Sequence, residues 1–164
     1  MMQQYSQKYT VVCFFEPQEK LSNFSGLDWP LHVTILDTFK TKWQLDRLCR
    51  QLGEVAANMT PFNAVPTQKA MLGEKKDVAV KLLQLEGGMS TLHAKLMEVV
   101  EEGSFVFNTP DFVGDGFLPH ATDQDDGQVE VGQSYQLDNF SLVDMLPDNN
   151  HVRREIVDTF TFKS

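Results

Sequence analysis

Apolar and polar positions change period several times along this chain, and the changes mark out its elements. Tyr9-Thr10-Val11-Val12-Cys13-Phe14-Phe15 is a dense β-branched and aromatic run stopped by Glu16-Pro17, the pattern of a buried strand. A polar stretch leads to Asp28-Trp29-Pro30, and Leu31 to Leu36 then alternates apolar residues with His32 and Thr34, as a half-buried strand does. From Thr41 to Ala57, Trp43, Leu45, Leu48, Leu52, Val55 and Ala56 recur at helical spacing, with Thr41 as N-cap. Phe62 to Leu72 and Val78 to Leu85 predict two strands around the polar turn Gly73-Glu74-Lys75-Lys76-Asp77. Gly87-Gly88 breaks the chain, and Leu92, Leu96, Met97, Val99 and Val100 define a second amphipathic helix closed by Gly103. Phe105-Val106-Phe107 and Asp111 to Gly116 lead up to Pro119-His120. Two long alternating segments, Tyr135 to Met145 and Val152 to Phe162, finish the chain around the turn Leu146-Pro147-Asp148-Asn149-Asn150. Interleaved helices and antiparallel hairpins predict an α+β fold with two sheets or half-sheets. No Pro/Gly/Ser linker cuts the 164 residues, so residues 1–164 read as a single domain of two intimately packed halves.

One element occurs twice. His32-Val33-Thr34 and His120-Ala121-Thr122 each set a histidine and a threonine two positions apart, with a proline shortly before and an apolar residue between. On a strand, such a pair shares one face, with the two side chains about 7 Å apart along it. Two pairs facing each other offer two imidazoles and two hydroxyls to one bound group, a set suited to breaking a phosphodiester without a metal. The other histidines, His93 and His151, lack the pattern and read as ordinary surface or helix histidines.

Charge narrows the partners. With 14 Lys and Arg against 23 Asp and Glu, the net charge is −9, and no basic run exceeds Lys75-Lys76 or Arg153-Arg154. Gripping a long nucleic-acid backbone needs a positive surface, so long RNA or DNA is not the expected partner, whereas a small phosphorylated substrate is compatible. The composition, 41% hydrophobic with 12 phenylalanines, is that of a globular chain with ample core. No apolar stretch reaches membrane-spanning length, and Met1-Met2-Gln3-Gln4-Tyr5 does not read as a signal peptide. Cys13 and Cys49 are far apart in apolar or amphipathic surroundings, as reduced core cysteines of a cytoplasmic protein are.

The two motifs, in this order of elements, resemble the two-histidine (2H) phosphoesterase superfamily, within it the 2'-5' RNA ligase or cyclic phosphodiesterase-like branch. The resemblance spans nearly the whole chain. It implies an α+β fold of two pseudo-symmetric lobes with antiparallel sheets around a central cleft, helices on the outside, each lobe giving one motif to the cleft. It also implies that His32, Thr34, His120 and Thr122 are the active-site positions, that no cofactor or metal is needed, and that the substrate is a small nucleotide or RNA end carrying a cyclic phosphate. A monomer is the expected state.

The second motif departs from the family. There an apolar residue usually follows Thr, often with a basic residue soon after, but here Thr122 is followed by Asp123-Gln124-Asp125-Asp126. An aspartate facing the core at that place is costly unless paired, so the strand is expected to end at Thr122 or emerge to solvent. The acidic run is not a calcium loop, because from Asp123 the fifth position is already Gly127. Phe39, Trp43 and Phe117 lie near the motifs in sequence and are candidates to stack on a base, although Trp43 equally fits the buried face of its helix. Lys40 and Lys42 are candidate positive charges at the cleft mouth, and Tyr9 a more distant candidate. The main alternative is a protein that binds a nucleotide or phosphorylated ligand on the same fold with little catalysis. An α+β scaffold with coincidental motifs is the third reading.

Overall fold

A computed structural model describes residues 7–124 and 127–163; Met1 to Tyr5, and Asp125 and Asp126 of the acidic run, lie outside them. The described elements run β1 (Tyr9–Phe14), β2 (Asn23–Ser25), β3 (His32–Lys40), α1 (Leu45–Ala57), β4 (Phe62–Ala64), β5 (Pro66–Leu72) and β6 (Val78–Leu83). They continue with α2 (Gly88–Gly103), β7 (Val106–Phe107), β8 (His120–Thr122), β9 (Tyr135–Leu137), β10 (Asn139–Asp144) and β11 (Arg153–Thr161). The protein is α+β, with one large antiparallel sheet in the order β2-β11-β10-β1-β3-β8-β6-β5, to which β7 adds along β3. No described helix is long and apolar enough to cross a membrane.

Both helices pack on the same face of the sheet. Leu48, Leu52 and Val55 of α1 and Leu92, Leu96 and Val99 of α2 share one core with Val11, Cys13, Val33, Ile35, Phe140 and Leu142. The opposite face carries a smaller cluster of Val12, Phe14, Val143 and Ile156, with Phe24, Trp29 and Met145 against it. Strand alternation divides the two sets: β1 sends Val11 and Cys13 to the helices and Val12 and Phe14 to the other side.

Several expected strands are re-cut by pairing. The segment Phe62 to Leu72 splits at Val65, and Tyr135 to Met145 splits at Asp138, because β4 and β9 pair with each other in a separate two-stranded sheet. Asp138 is the hinge of the second split: its carbonyl accepts the N–H of Phe162 instead of continuing one ladder. The short β2 forms within the stretch read as polar loop, held on the edge strand β11. The turn at 146–150 is as expected, with Asp148 and Asn149 both left-handed at φ 53° and 62°.

Helix ends also move. Gln44, not Thr41, is the N-cap of α1. Thr41 is buried, its hydroxyl donating to the Gly103 carbonyl and accepting from the Trp43 N–H, a local turn that precedes the helix. Gly103 is the last residue of α2, and Ser104 takes the left-handed turn after it. A glycine is required at 103 by crowding, since a Cβ would lie 2.4 Å from the Phe105 ring.

Strand β3 bends as it leaves the motif. Three steps along β1, Tyr9 to Val12, match five along β3, Phe39 to Thr34, so β3 bulges there. The Thr10 hydroxyl donates to the Leu36 carbonyl at 2.7 Å within that irregular stretch. The bulges bring Phe39 onto the helix side, fully buried and stacked on Phe105 at 4.6 Å. Phe39→Ala is therefore expected to cost about 3–5 kcal/mol in urea unfolding; a loss below about 1 kcal/mol would contradict this placement.

Candidate functional site

The two motif strands are neighbours. β3 and β8 pair antiparallel through Val33 and Ala121, the middle residues of the two motifs, and both are fully buried on the helix side. Their flanking residues consequently point to the opposite face. Continuing the antiparallel register by one residue sets His32 beside Thr122 and Thr34 beside His120. The histidines then occupy the diagonal of a four-residue cluster, with Cα atoms about 7–8 Å apart. All four side chains are half-buried. The cluster is framed by apolar partners, Phe14 and Val12 opposite His32 and Thr34, and Leu82 and Val80 opposite His120 and Thr122.

Both imidazoles are oriented in the same way. His32 Nδ1 lies 2.8 Å from the Pro30 carbonyl, and His120 Nδ1 lies 2.8 Å from the Leu118 carbonyl. A carbonyl only accepts, so each Nδ1 carries a proton and donates it. Each Nε2 is left as the nitrogen available for proton transfer. The chain therefore turns back two residues before each histidine to hold the ring from behind, and the prolines at 30 and 119 lie in those two turns.

The surroundings of the two rings differ. His32 lies against Trp29, with ring centroids 4.5 Å apart, and meets Phe14 edge-on at 6.1 Å. Burial pushes its imidazole from the ordinary 6.5 down to about 4; the Pro30 carbonyl acts in the other direction, and the nearby His120 adds to the lowering. Among the described residues no group of three or more His, Cys, Asp or Glu is arranged to hold a metal ion.

Strand β8 ends at Thr122, and Asp123 is paired. Its carboxylate accepts from Lys81 Nζ at 2.6 Å, and the same ammonium reaches Gln128 Oε1 at 3.3 Å. Lys81 is only 4% exposed and lies opposite Ala121 on β6, so this ion pair sits on the face away from the histidines. The sequence signal for it is a single lysine inside the apolar run Val78 to Leu83. The pair offsets the burial cost of Asp123 and ties down the start of the acidic loop.

The aromatic candidates are placed elsewhere. Phe39, Trp43 and Phe117 all belong to or pack on the helix-side core, where a fully buried ring such as Phe39 has no face to offer a base. Trp43 meets Phe105 at 5.6 Å and has Arg47 over its ring at 4.5 Å. Phe117 lies flat on His93. Tyr9 is buried in the same core, and Lys40 pairs with Val106 of β7. The aromatic residues that do adjoin the cluster are Phe14 and Trp29, the latter three positions before His32, and neither is among the candidates from sequence.

No family model and no curated protein sequence matches the chain. Solved structures do match it, along almost its whole length. LigT of E. coli, crystallised with 3'-AMP, has 15% sequence identity and a TM-score of 0.55, over 96% of this chain and 99% of that one. The chain has the LigT fold. A protein of Thermus thermophilus (TT0787) has 17% identity and a TM-score of 0.61, over 94% of this chain and 97% of its own. A further structure, described as a phosphoesterase, has 13% identity and a TM-score of 0.60, covering 96% of this chain and 99% of that one. At these identities the likeness is one of fold, an α+β arrangement built on a large antiparallel sheet.

The depressed basicity of His32 has a sign that can be checked. An unfolded chain protonates this ring near pH 6.5 and the folded one only near 4, so the unfolded state binds more protons in between. The stability that the neutral ring contributes is complete above pH 6.5 and is lost as pH falls toward 4. The loss amounts to at most about 3 kcal/mol. An NMR titration is expected to give a His32 midpoint near 4, with the pH slope of stability reduced in His32→Gln. A midpoint at the ordinary value contradicts the packing described.

Proposed function

We propose that this chain is a two-histidine phosphoesterase. It acts without a metal on a 2',3'-cyclic phosphate, or on a 2'-5' phosphodiester, of a small nucleotide or RNA end. The observation that carries the reading is the β3–β8 register, which brings both His-x-Thr motifs onto one face with each Nδ1 tied back to a carbonyl. The coarser part, a phosphoesterase-type protein, agrees with the fold shared with LigT and the phosphoesterase. Crystals of LigT with 3'-AMP, NADP+ and phosphate support small nucleotides as the ligand class.

In this mechanism the phosphate lies between the two Nε2 atoms. His32, which its aromatic wall keeps neutral, takes a proton from the attacking water. As the water oxygen bonds to phosphorus, the phosphorus–ribose oxygen bond breaks, and protonated His120 gives its Nε2 proton to the departing oxygen. The Thr34 and Thr122 hydroxyls donate to the non-bridging oxygens, whose charge grows in the transition state. A 5'-hydroxyl in place of water would attack the cyclic phosphate in the same way, breaking one ribose–phosphorus bond and joining two ends without ATP. The protein works as a cytoplasmic monomer whose cysteines, both free in the structure, stay reduced.

A second reading, a nucleotide- or phosphate-binding protein with little turnover, is favoured by one observation. The lysine nearest the second motif is engaged by Asp123 on the far face and gives no positive charge to the cluster.

Hydrolysis of 2',3'-cyclic AMP in EDTA separates the two. The phosphoesterase reading expects turnover that EDTA leaves unchanged, and a loss of about 10²–10⁴-fold in kcat for His32→Ala and for His120→Ala. Thr34→Val and Thr122→Val are expected to lose roughly 10–10³-fold. Wild-type turnover that survives both histidine substitutions would refute it. Absent turnover, with 3'-AMP binding that both substitutions abolish, would establish the second reading.

A further inference from the structure

His93 lies on α2, behind the sheet, and touches the segments that carry both motifs. It is 5% exposed, and both of its ring nitrogens are used. Nδ1 lies 2.9 Å from the Ile35 carbonyl and so holds the proton; Nε2 accepts the Gly114 N–H at 2.9 Å. The ring lies flat on Phe117, with centroids 3.9 Å apart and planes 5° from parallel. Ile35 directly follows Thr34, and Phe117 directly precedes Leu118, whose carbonyl holds His120 Nδ1. Pro119, the next residue, has its carbonyl bonded by the Leu83 N–H at 2.9 Å. The Leu118 carbonyl that orients His120 therefore hangs between two anchors, and the stack on His93 is one of them.

An apolar residue at position 93 would fill the same space but leave the carbonyl of fully buried Ile35 without this partner, which is costly, and free the Gly114 N–H. What the imidazole adds is a fixed tie between β3 and the 114–117 segment. Burial lowers its basicity, consistent with a neutral ring that donates at one nitrogen and accepts at the other. The segment it holds is tightly folded: a Cβ on Gly116 would fall 1.7 Å from the Asp111 carbonyl oxygen. Its start is tied to β3 independently, through the Thr109 N–H donating to Asp37 at 2.7 Å.

We propose that His93 is a positioning residue for the phosphoryl chemistry: it fixes the Leu118 carbonyl, and through it the His120 ring, against β3. The proposal rests on the phosphoesterase reading for its effect on rate, but not for its effect on the His120 ring. The stack is kept and both hydrogen bonds are removed in His93→Phe, whereas His93→Gln retains an oxygen able to accept from Gly114. With 2',3'-cyclic AMP as substrate, His93→Phe is expected to lower kcat by about 10²-fold with KM little changed. His93→Gln, which keeps an acceptor for Gly114 but loses the stack on Phe117, is expected to recover only part of that loss. In ¹⁵N NMR of the imidazoles, His120 is expected to show a single Nδ1-protonated tautomer in the wild type and a mixture in His93→Phe. A folded His93→Phe with wild-type kcat and an unchanged His120 spectrum overturns the proposal. Should His93→Phe not fold, Phe117→Leu, which removes the stack alone, is expected to change kcat and the spectrum in the same direction; no change overturns the proposal. Should the wild type show no turnover, the phosphoesterase reading fails, and the tautomer of His120 decides the proposal alone.

Discussion

The pairing of β3 with β8 is the contact on which the site depends. It joins two half-sheets, β2-β11-β10-β1-β3 on one side and β8-β6-β5 on the other, through Val33 and Ala121. Side-chain direction alternates along a strand, so a one-residue slip of β8 against β3 would turn His120 and Thr122 into the helix-side core and expose Ala121. The register is protected on both flanks. β3 is held along β1 from His32 to Phe39, and β8 is held along β6 by three pairs, Val80 with Thr122, Lys81 with Ala121 and Leu82 with His120. Two further backbone hydrogen bonds, Leu83 to Pro119 and Asp123 to Ala79, extend the hold beyond both ends of the short strand.

The two motifs share backbone geometry and differ in solvation. The same Nδ1-to-carbonyl bond, closed two residues back, orients each imidazole. Only His32 stands against an aromatic wall, of Trp29 and Phe14 with Phe24 behind them. Nearly symmetric strands thus present two imidazoles in different surroundings, and burial against the wall lowers the basicity of His32. A ring kept neutral is the form able to accept a proton.

The motif strands are legible in the sequence because period two is a strong signal: His32 and Thr34 alternate with Val33 and Ile35, and the burial follows that alternation. Linear proximity misleads where the backbone departs from it. Phe39 follows the first motif closely along the chain, but the bulges of β3 leave it on the core face. The strand breaks at Val65 and Asp138 follow from the separate β4–β9 pairing, a contact between segments about 70 residues apart that local pattern does not encode. His93 reads as ordinary because its partners, the Ile35 carbonyl and the Gly114 N–H, are backbone groups on other segments. Lys81 is hidden in an apolar run, although Asp123 following a half-buried strand requires a cation nearby.

Whether both motifs act on one anion is decided by a crystal structure of the protein soaked with inorganic phosphate and then with 3'-AMP. One phosphate is expected within hydrogen-bond distance of both His32 Nε2 and His120 Nε2, with the Thr34 and Thr122 hydroxyls on its remaining oxygens. Phosphate bound by a single histidine, or bound away from β3 and β8 altogether, would contradict it.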